Sequence, residues 1–296
     1  MQGFLLIDKP EGITSFSAVS AVKRLAGEKR VGHTGTLDPL ATGVLPLFLG
    51  RATALAGILL EAEKEYTATV KLGTVTDTCD ITGRVIGESS VSVTKDELEA
   101  ALSKFRGDIL QVPPMYSALK KDGVRLYDLA RRGESVDIEP RQVNISKLVL
   151  ENFENDTFCI SVVCSKGTYI RSLCRDIGEA LGCGAVMTEL RRNSTCGFFE
   201  NDCVRLDELT AENISSHIKS EEWAVKHLRE VFVSEKQAVR FTNGGQLSYE
   251  RLKNPDFAEG ELLRIKYKEN FLGIGYADNE RQQIAVKCVI NQWRSE

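Results

Sequence analysis

The segment from Val31 to Gly50 constrains this chain more than any other. Gly32, Gly35 and Gly43 permit backbone conformations that other residues resist, and they bracket the dipeptide Asp38-Pro39. Proline restricts the residue before it to extended backbone, so Pro39 sets how Asp38 enters the turn. The segment reads as a loop of defined geometry holding one carboxylate, with Leu37 and Leu40 able to shield it from water. A plain turn, with His33 as a hydrogen-bonding loop residue, satisfies the same fragment. Rival chemistries fail on spacing. No G-K-[ST] follows the glycines, which excludes a Walker-type phosphate loop, and no H-E-x-x-H occurs. Asp77-Thr-Cys-Asp80-Ile-Thr-Gly83 has the wrong acid spacing for a calcium loop and lacks its distal glutamate.

Around this loop the patterning predicts a mixed α+β chain. Phe4 to Ile7 reads as a short strand ending in the Asp8–Gly12 turn. Thr14 or Ser15 caps a helix that carries Phe16, Val19, Val22 and Leu25 at helical spacing and stops at Gly27. In Tyr66–Leu72, Tyr66, Ala68, Val70 and Leu72 share one strand face, and Thr67, Thr69 and Lys71 the other. Thr94 with Glu97 forms a capping box for a helix carrying Leu98, Ala101, Leu102 and Phe105. Val124–Arg132 predicts another helix, closed by Gly133. Ile145–Leu150 and Phe158–Val163 predict a hairpin, and Tyr169–Leu181 a helix with Ile170, Leu173, Cys174, Ile177 and Leu181 inward. After about residue 225 the chain turns to short strands: Leu262–Tyr267, Phe271–Tyr276, and the alternating Ile284, Val286, Cys288 and Ile290. The expected architecture is a mixed, mainly antiparallel sheet with flanking helices over residues 1–228. A small C-terminal β-barrel over 229–296 completes it.

Composition bounds the functional classes. At 42% hydrophobic and 27% charged residues, the 296-residue chain can bury a sizeable core. No stretch approaches the roughly 20 apolar residues needed to span a bilayer. The N-terminal apolar run is too short for a signal-peptide core and lacks a basic leader, so a cytoplasmic location is expected. None of the eight cysteines forms a C-x-x-C pair, which argues for reduced core fillers and against structural zinc; no metal is expected. The net charge of −4 speaks weakly against a nucleic-acid partner. Binding depends on where charges sit, however, and from Lys104 to Arg132 seven basic residues face three acidic ones. That +4 stripe fits either a nucleic-acid surface or a solvated face.

Gly32-His33-Thr34-Gly35-Thr36-Leu37-Asp38-Pro39-Leu40-Ala41-Thr42-Gly43 resembles the signature of the TruB family of tRNA pseudouridine synthases. Other segments agree in order: Lys9-Pro10-x-Gly12-x-Thr14-Ser15, Lys64-x-Tyr66, Gly73-x-x-Thr76-Asp77-Thr78-x-Asp80-x-x-Gly83, and Cys164-Ser-Lys166-Gly167-Thr168-Tyr169-Ile170-Arg171-Ser172-Leu173. Pro113-Pro114-x-Tyr116-Ser117-Ala118-x-Lys120 with Gly123-x-Arg125-x-Tyr127 resembles the family's tRNA-contacting insertion, placed near 104–140, and Leu190-Arg191-Arg192 a late motif. The resemblance spans about residues 3 to 210. More loosely, the tail resembles a PUA-like RNA-binding domain.

The resemblance implies isomerisation of uridine 55 in the T loop of tRNA. Bond breaking between N1 and C1′, rotation of the base and rejoining through C5 neither add nor remove atoms, so no cofactor is required. By resemblance Asp38 is the catalytic carboxylate, Arg171 its guanidinium partner, and Tyr66 the aromatic that stacks on the uracil and moves a proton. Leu190 would wall the pocket. His33 would fill the space left by the flipped nucleotide, whose extrusion costs a few kcal/mol. Lys9, Lys64, Lys120, Arg125, Arg131 and Arg191 are candidate phosphate contacts. The implied partner is the tRNA T stem–loop, with no membrane, no protein partner and a monomeric enzyme. Two alternatives stand beside this reading: a non-catalytic RNA-binding or tRNA-folding chaperone, and a synthase for another RNA within a ribonucleoprotein.

Overall fold

The computed structural model describes residues 1–293 except 60, 61, 118, 122, 135 and 254. Ala118 of the insertion motif and Asp122 of the charge stripe therefore lie outside the described residues. In chain order the first strands are β1 (Gly3–Lys9), β2 (Val31–His33), β3 (Thr42–Leu49), β4 (Lys64–Leu72), β5 (Thr74–Thr76), β6 (Val85–Glu88), β7 (Gly107–Gln111), β8 (Lys120–Lys121), β9 (Val124–Arg125), β10 (Arg141–Glu154) and β11 (Thr157–Cys164). There follow β12 (Ala185–Thr195), β13 (Phe198–Phe199), β14 (Val204–Arg205), β15 (Arg229–Phe232), β16 (Leu247–Ser248), β17 (Leu262–Tyr267), β18 (Asn270–Asp278) and β19 (Gln283–Val289). The helices that matter for the site are α1 (Ser15–Ala26), α2 (Ala56–Leu59), α3 (Lys95–Ser103), α4 (Leu126–Arg131) and α5 (Ile170–Ala180).

Ten strands form one sheet in the order β14-β1-β3-β12-β4-β11-β10-β7, with β2 on β3 and β13 on β12. It is mixed but mainly antiparallel: β1/β14 and β3/β12 are its parallel pairs. Five strands form a second sheet, β15-β17-β18-β19-β16, in which only β15/β17 are parallel. The Leu5, Ile7, Leu45 and Leu47 face of β1 and β3 packs in a core with Val19, Val22, Leu173 and Ile177 from α1 and α5. The opposite face, Phe4, Leu6, Val44 and Phe48, packs with Phe198 and with Phe271, Ile274 and Ile290 from the C-terminal segment. Burial on both faces explains why Phe4–Ile7 is continuously apolar. Strand β4 alternates because its polar face is not covered in the same way.

Local signals account for the elements and for two departures. Thr14 accepts from the Ser17 amide at 2.9 Å, and Gly27 closes α1 in the left-handed region at φ 61. The helix is nevertheless rotated relative to the spacing expected. Ser15 Oγ donates to the Leu37 carbonyl at 3.0 Å and accepts from the Leu37 amide at 2.9 Å. Those bonds turn Ser15, Ala18, Val19 and Val22 inward and leave Phe16 72% exposed. The second departure is in the insertion. Val124 and Arg125 pair with Lys121 and Lys120 as strands, so the helix expected from Val124 begins only at Leu126. The capping box of α3 forms as read, and the predicted hairpin extends into β10 and β11 joined at Asn155-Asp156.

Candidate active site

The loop between β2 and β3 carries Asp38, and its two ends depend on glycine. Gly43 adopts φ 102, and a Cβ there would meet the Arg192 carbonyl oxygen at 2.2 Å. Any side chain would push β3 away from β12. Gly35 adopts φ 68, and a Cβ there would lie 3.0 Å from Arg192 Nη1. The Ser15–Leu37 bond pair and an Ala41 amide donating to the Asp38 carbonyl at 3.1 Å fix the loop between these points. The half-buried Asp38 carboxylate is thereby presented beside Leu37, which is buried, and Leu40, which is half-buried.

Helix α5 supplies the guanidinium. Arg171 is 5% exposed, and its Nε lies 2.8 Å from Asp38 Oδ2. The remaining donors are committed elsewhere: Nη1 to the Thr78 carbonyl at 3.1 Å, with Asp80 Oδ2 at 3.7 Å, and Nη2 to the Tyr116 carbonyl at 2.9 Å. The helix is held in turn by Gln111, which accepts from the Tyr169 amide at 2.8 Å and donates to the Tyr169 carbonyl at 3.1 Å. Burial pushes the Asp38 carboxyl above the usual range; Arg171 opposes that and Asp80 reinforces it. An acid so placed is expensive to ionise and is held against one fixed donor, as a reactive carboxylate requires.

Tyr66 lies on the buried face of β4, 7% exposed, in the same apolar cluster as Leu37 and Leu190. Burial pushes its hydroxyl up, while Arg192 opposes the rise. Leu190 and Arg192 belong to β12, where they stand opposite Ala68 and Tyr66. His33 ends β2 with Nε2 3.1 Å from Thr36 Oγ1, and burial together with Arg192 lowers its pKa, so it is uncharged at neutral pH. Among the described residues no group of three or more His, Cys, Asp or Glu side chains is placed to hold a metal ion.

Known proteins resemble this chain over nearly all of its length. A family model for the N-terminal domain of TruB family pseudouridylate synthases matches residues 23–170, and one for the tRNA pseudouridylate synthase B C-terminal domain matches 171–239. The chain belongs to the TruB family. The tRNA pseudouridine synthase B of Clostridium novyi (strain NT) is 43% identical over 285 residues, covering 96% of this chain and 98% of that one. That of Stutzerimonas stutzeri (strain A1501) is 43% identical over 283 residues, covering 93% and 91%. Among solved structures, a Cbf5-Nop10-Gar1 complex contains a chain with TM-score 0.77 and 28% identity, covering 98% of this chain and 85% of that one. An H/ACA RNP bound to a substrate RNA containing 2′-deoxyuridine contains another, at TM-score 0.75, 26% identity and the same coverage. The boundary at 171 falls inside α5, so both matched segments of this TruB-family chain build the ten-stranded sheet.

The basic residues expected at phosphates divide into two groups. Lys120, Arg125 and Arg131 are exposed, and the two arginines flank the Tyr127 ring with Cζ at 5.7 and 5.5 Å from its centroid. Lys9 does not reach the surface expected of a phosphate ligand. It is wholly buried, its ammonium donating to the Pro10, Ile13 and Pro39 carbonyls at 2.7, 2.8 and 3.3 Å, and burial lowers its pKa to about 8. It therefore clamps the Asp38 loop and faces no phosphate. Arg191 is held by Asp8 through two bonds and by Glu200 at 2.8 Å, which leaves it as a pin between β12 and β1. Lys64 is half-buried at the start of β4 and donates to the Ala62 carbonyl at 2.7 Å. No helix among the described residues is long and apolar enough to cross a membrane.

Two residues of this site were not singled out from the sequence. Asp80 is buried, with Oδ1 accepting from the Thr78 hydroxyl and from both the amide and hydroxyl of Thr82. Threonine two places before and two places after an aspartate was the available signal. Arg192 is wholly buried. A second arginine at a position that strand alternation turns inward was its signal.

Proposed function

We propose that this TruB-family enzyme isomerises uridine 55 in the T loop of tRNA, with Asp38, Tyr66 and Arg171 as its catalytic group. The observation that carries the reading is the Arg171 Nε at 2.8 Å from the Asp38 carboxylate in a site that raises that acid's pKa. Arg171 keeps the carboxylate aimed and ionised, and the carboxylate acts on the flipped nucleotide as N1–C1′ breaks. Tyr66 and Leu190 bound the base on the β4 and β12 side. His33, uncharged at neutral pH, fills the stack without meeting phosphate as a cation. Every step rearranges bonds of one nucleotide, so the chain's own side chains suffice.

The exposed Lys120, Arg125 and Arg131 suit the phosphates of a stem–loop recognised by shape. We divide the chain into a catalytic part, 1–228, and a PUA-like RNA-binding part, 229–296, which begins at the first strand of the second sheet. The enzyme is assigned to the cytoplasm as a monomer. Full-length similarity to bacterial tRNA enzymes at 43% identity favours a tRNA substrate over a ribonucleoprotein target.

Purified protein incubated with unmodified tRNA transcript, without cofactor and in chelator, is expected to convert one T-loop uridine, detected by pseudouridine-specific chemical labelling. Asp38→Asn is expected to bind the transcript and leave it unchanged. An active Asp38→Asn variant refutes the catalytic assignment.

A further inference from the structure

Arg192 is wholly buried, yet its guanidinium is only partly satisfied. Nε donates to the Val44 carbonyl at 2.8 Å, whereas Nη1 and Nη2 have no hydrogen-bond partner. No carboxylate answers the charge among the described residues. Removing a cation from water without a partner is unfavourable, and an apolar side chain of similar volume fills such a site at less expense. Packing alone does not account for an arginine here.

Its surroundings show what the charge faces. Strand β12 sets Arg192 directly opposite Tyr66 on β4 and beside Gly43 on β3. Residues directly opposed across a strand pair share one face of the sheet, and here that face also carries Leu190. On its other side the Asp38 loop closes over it: a Cβ at position 35 would lie 3.0 Å from Nη1. The guanidinium is thus enclosed between the catalytic loop and the tyrosine.

We propose that Arg192 is a positioning residue that acts through Tyr66: its Nη groups, unpartnered in this structure, take the tyrosine oxygen as their acceptor when substrate is bound, so that this oxygen takes the C5 proton of the rejoined uracil. This rests on the reading of Tyr66 given above. In the step, the C5–H bond breaks, its electron pair restores the ring double bond, and the proton passes to the Tyr66 phenolate. The phenol's own proton has gone to solvent beforehand, and solvent returns one to N1. Uridine and pseudouridine have the same composition, so neither oxidant nor reductant enters. Of the groups acting on the Tyr66 hydroxyl, Cys164 from β11 and Asp38 from the loop oppose its ionisation, and Arg192 from β12 favours it. The same charge bears on Lys9 and His33, lowering the pKa of each.

The test compares single-turnover rates across pH 6 to 10 on unmodified tRNA, together with tRNA affinity and melting temperature, for Arg192→Met, Arg192→Lys and each in a Tyr66→Phe background. Arg192→Met is expected to keep wild-type affinity and melting temperature. It should lose about tenfold or more in rate at pH 7, about tenfold for each unit by which the hydroxyl's pKa rises. Both rates should climb with pH at a constant ratio, the gap closing only where pH passes the wild-type hydroxyl's own raised pKa, and Arg192→Lys should recover most of the loss. In the Tyr66→Phe background neither substitution should slow the reaction further. A wild-type rate in Arg192→Met, or an equal loss with and without the tyrosine hydroxyl, overturns the proposal. If Arg192→Met does not fold, the same comparison is made with Arg192→Lys: a profile shifted only when Tyr66 is present supports the assignment, and one shifted equally in both overturns it. Failure of the underlying reading shows separately, as wild-type rates in Tyr66→Phe or Asp38→Asn with Arg192 intact.

Discussion

Arg171 binds Asp38 through Nε alone, at 2.8 Å, because its other two nitrogens are spent on the Thr78 and Tyr116 carbonyls. One side chain thus joins the Asp38 carboxylate, the Asp77–Gly83 turn and the root of the basic insertion. Lysine is a compact point charge whose three donors radiate from one nitrogen on a flexible stem, and it cannot reproduce that planar fork. Arg171→Lys should therefore lose at least one charge-assisted bond of about 1.5–3 kcal/mol in the transition state, about 10- to 150-fold in kcat. Affinity for tRNA should change little, since the group faces inward. Single-turnover kinetics beside filter binding checks this; a variant that weakens binding and spares the rate would contradict the assignment.

The raised pKa of Asp38 has a consequence for stability with a definite sign. Between the ordinary carboxylate value and the raised one, the folded state holds a proton that the unfolded state has released. Stability therefore falls as pH rises through that window, and the penalty is fully present only above the raised value. Asp38→Asn removes it. The variant should melt no lower than wild type at pH 7, and higher if the penalty dominates, with the difference vanishing below about pH 4. Calorimetry at pH 4 and pH 7 decides; a variant that melts several degrees lower at pH 7 would show that Arg171 outweighs burial.

What the sequence disclosed and what it hid follow from the range of the forces involved. The caps of α1 and α3, the alternation of β4 and the glycine-bracketed loop are set by neighbours a few residues apart, and they were legible. Strand β12 was not read as a strand. Its register is fixed by β3 and β4, from well over a hundred residues earlier, and it carries a buried arginine where alternation implies an apolar residue. Helical spacing groups Phe16 with Val19, Val22 and Leu25 but cannot see the Ser15–Leu37 bonds that set the rotation of α1. Lys9 was read as a phosphate ligand because a lysine beside Pro10 and Gly12 looks like a loop residue. Only the assembled loop shows three carbonyls converging on its ammonium. Resemblance to the TruB family supplied Arg171 and Tyr66; neither composition nor periodicity distinguishes a buried arginine of α5 from a surface one.

The Lys9 clamp predicts a stability effect where a phosphate ligand would give a binding effect. Lys9→Met leaves the Pro10, Ile13 and Pro39 carbonyls short of a donor, and a stranded buried acceptor costs about 1–3 kcal/mol. Denaturant melts should show a loss of about 2–4 kcal/mol, with some carbonyls recovering water. The rate should fall as the Asp38 loop loosens, and the salt dependence of tRNA binding should stay as in wild type. A reduced salt slope with unchanged stability would return Lys9 to the phosphate contacts.

The two kinds of exposed or half-exposed arginine should separate in the same assay. Arg125 and Arg131 project from the insertion with no carboxylate pairing to either among the described residues, and both lie over the Tyr127 ring. Each phosphate contact releases counterions, so a plot of log affinity against log salt should flatten by about 0.7 to 0.9 for each of Arg125→Ala and Arg131→Ala. Arg191 is already paired with Asp8 and Glu200, and releasing it to a phosphate would strand two carboxylates beside β1 and β13. Arg191→Ala should leave the salt slope unchanged and lower the melting temperature, because it frees Asp8 at the β1 end of the sheet. If Arg191→Ala flattened the slope as much as Arg125→Ala, the pairing with Asp8 would have to break on tRNA binding, and the RNA-facing surface would extend from the insertion onto β12.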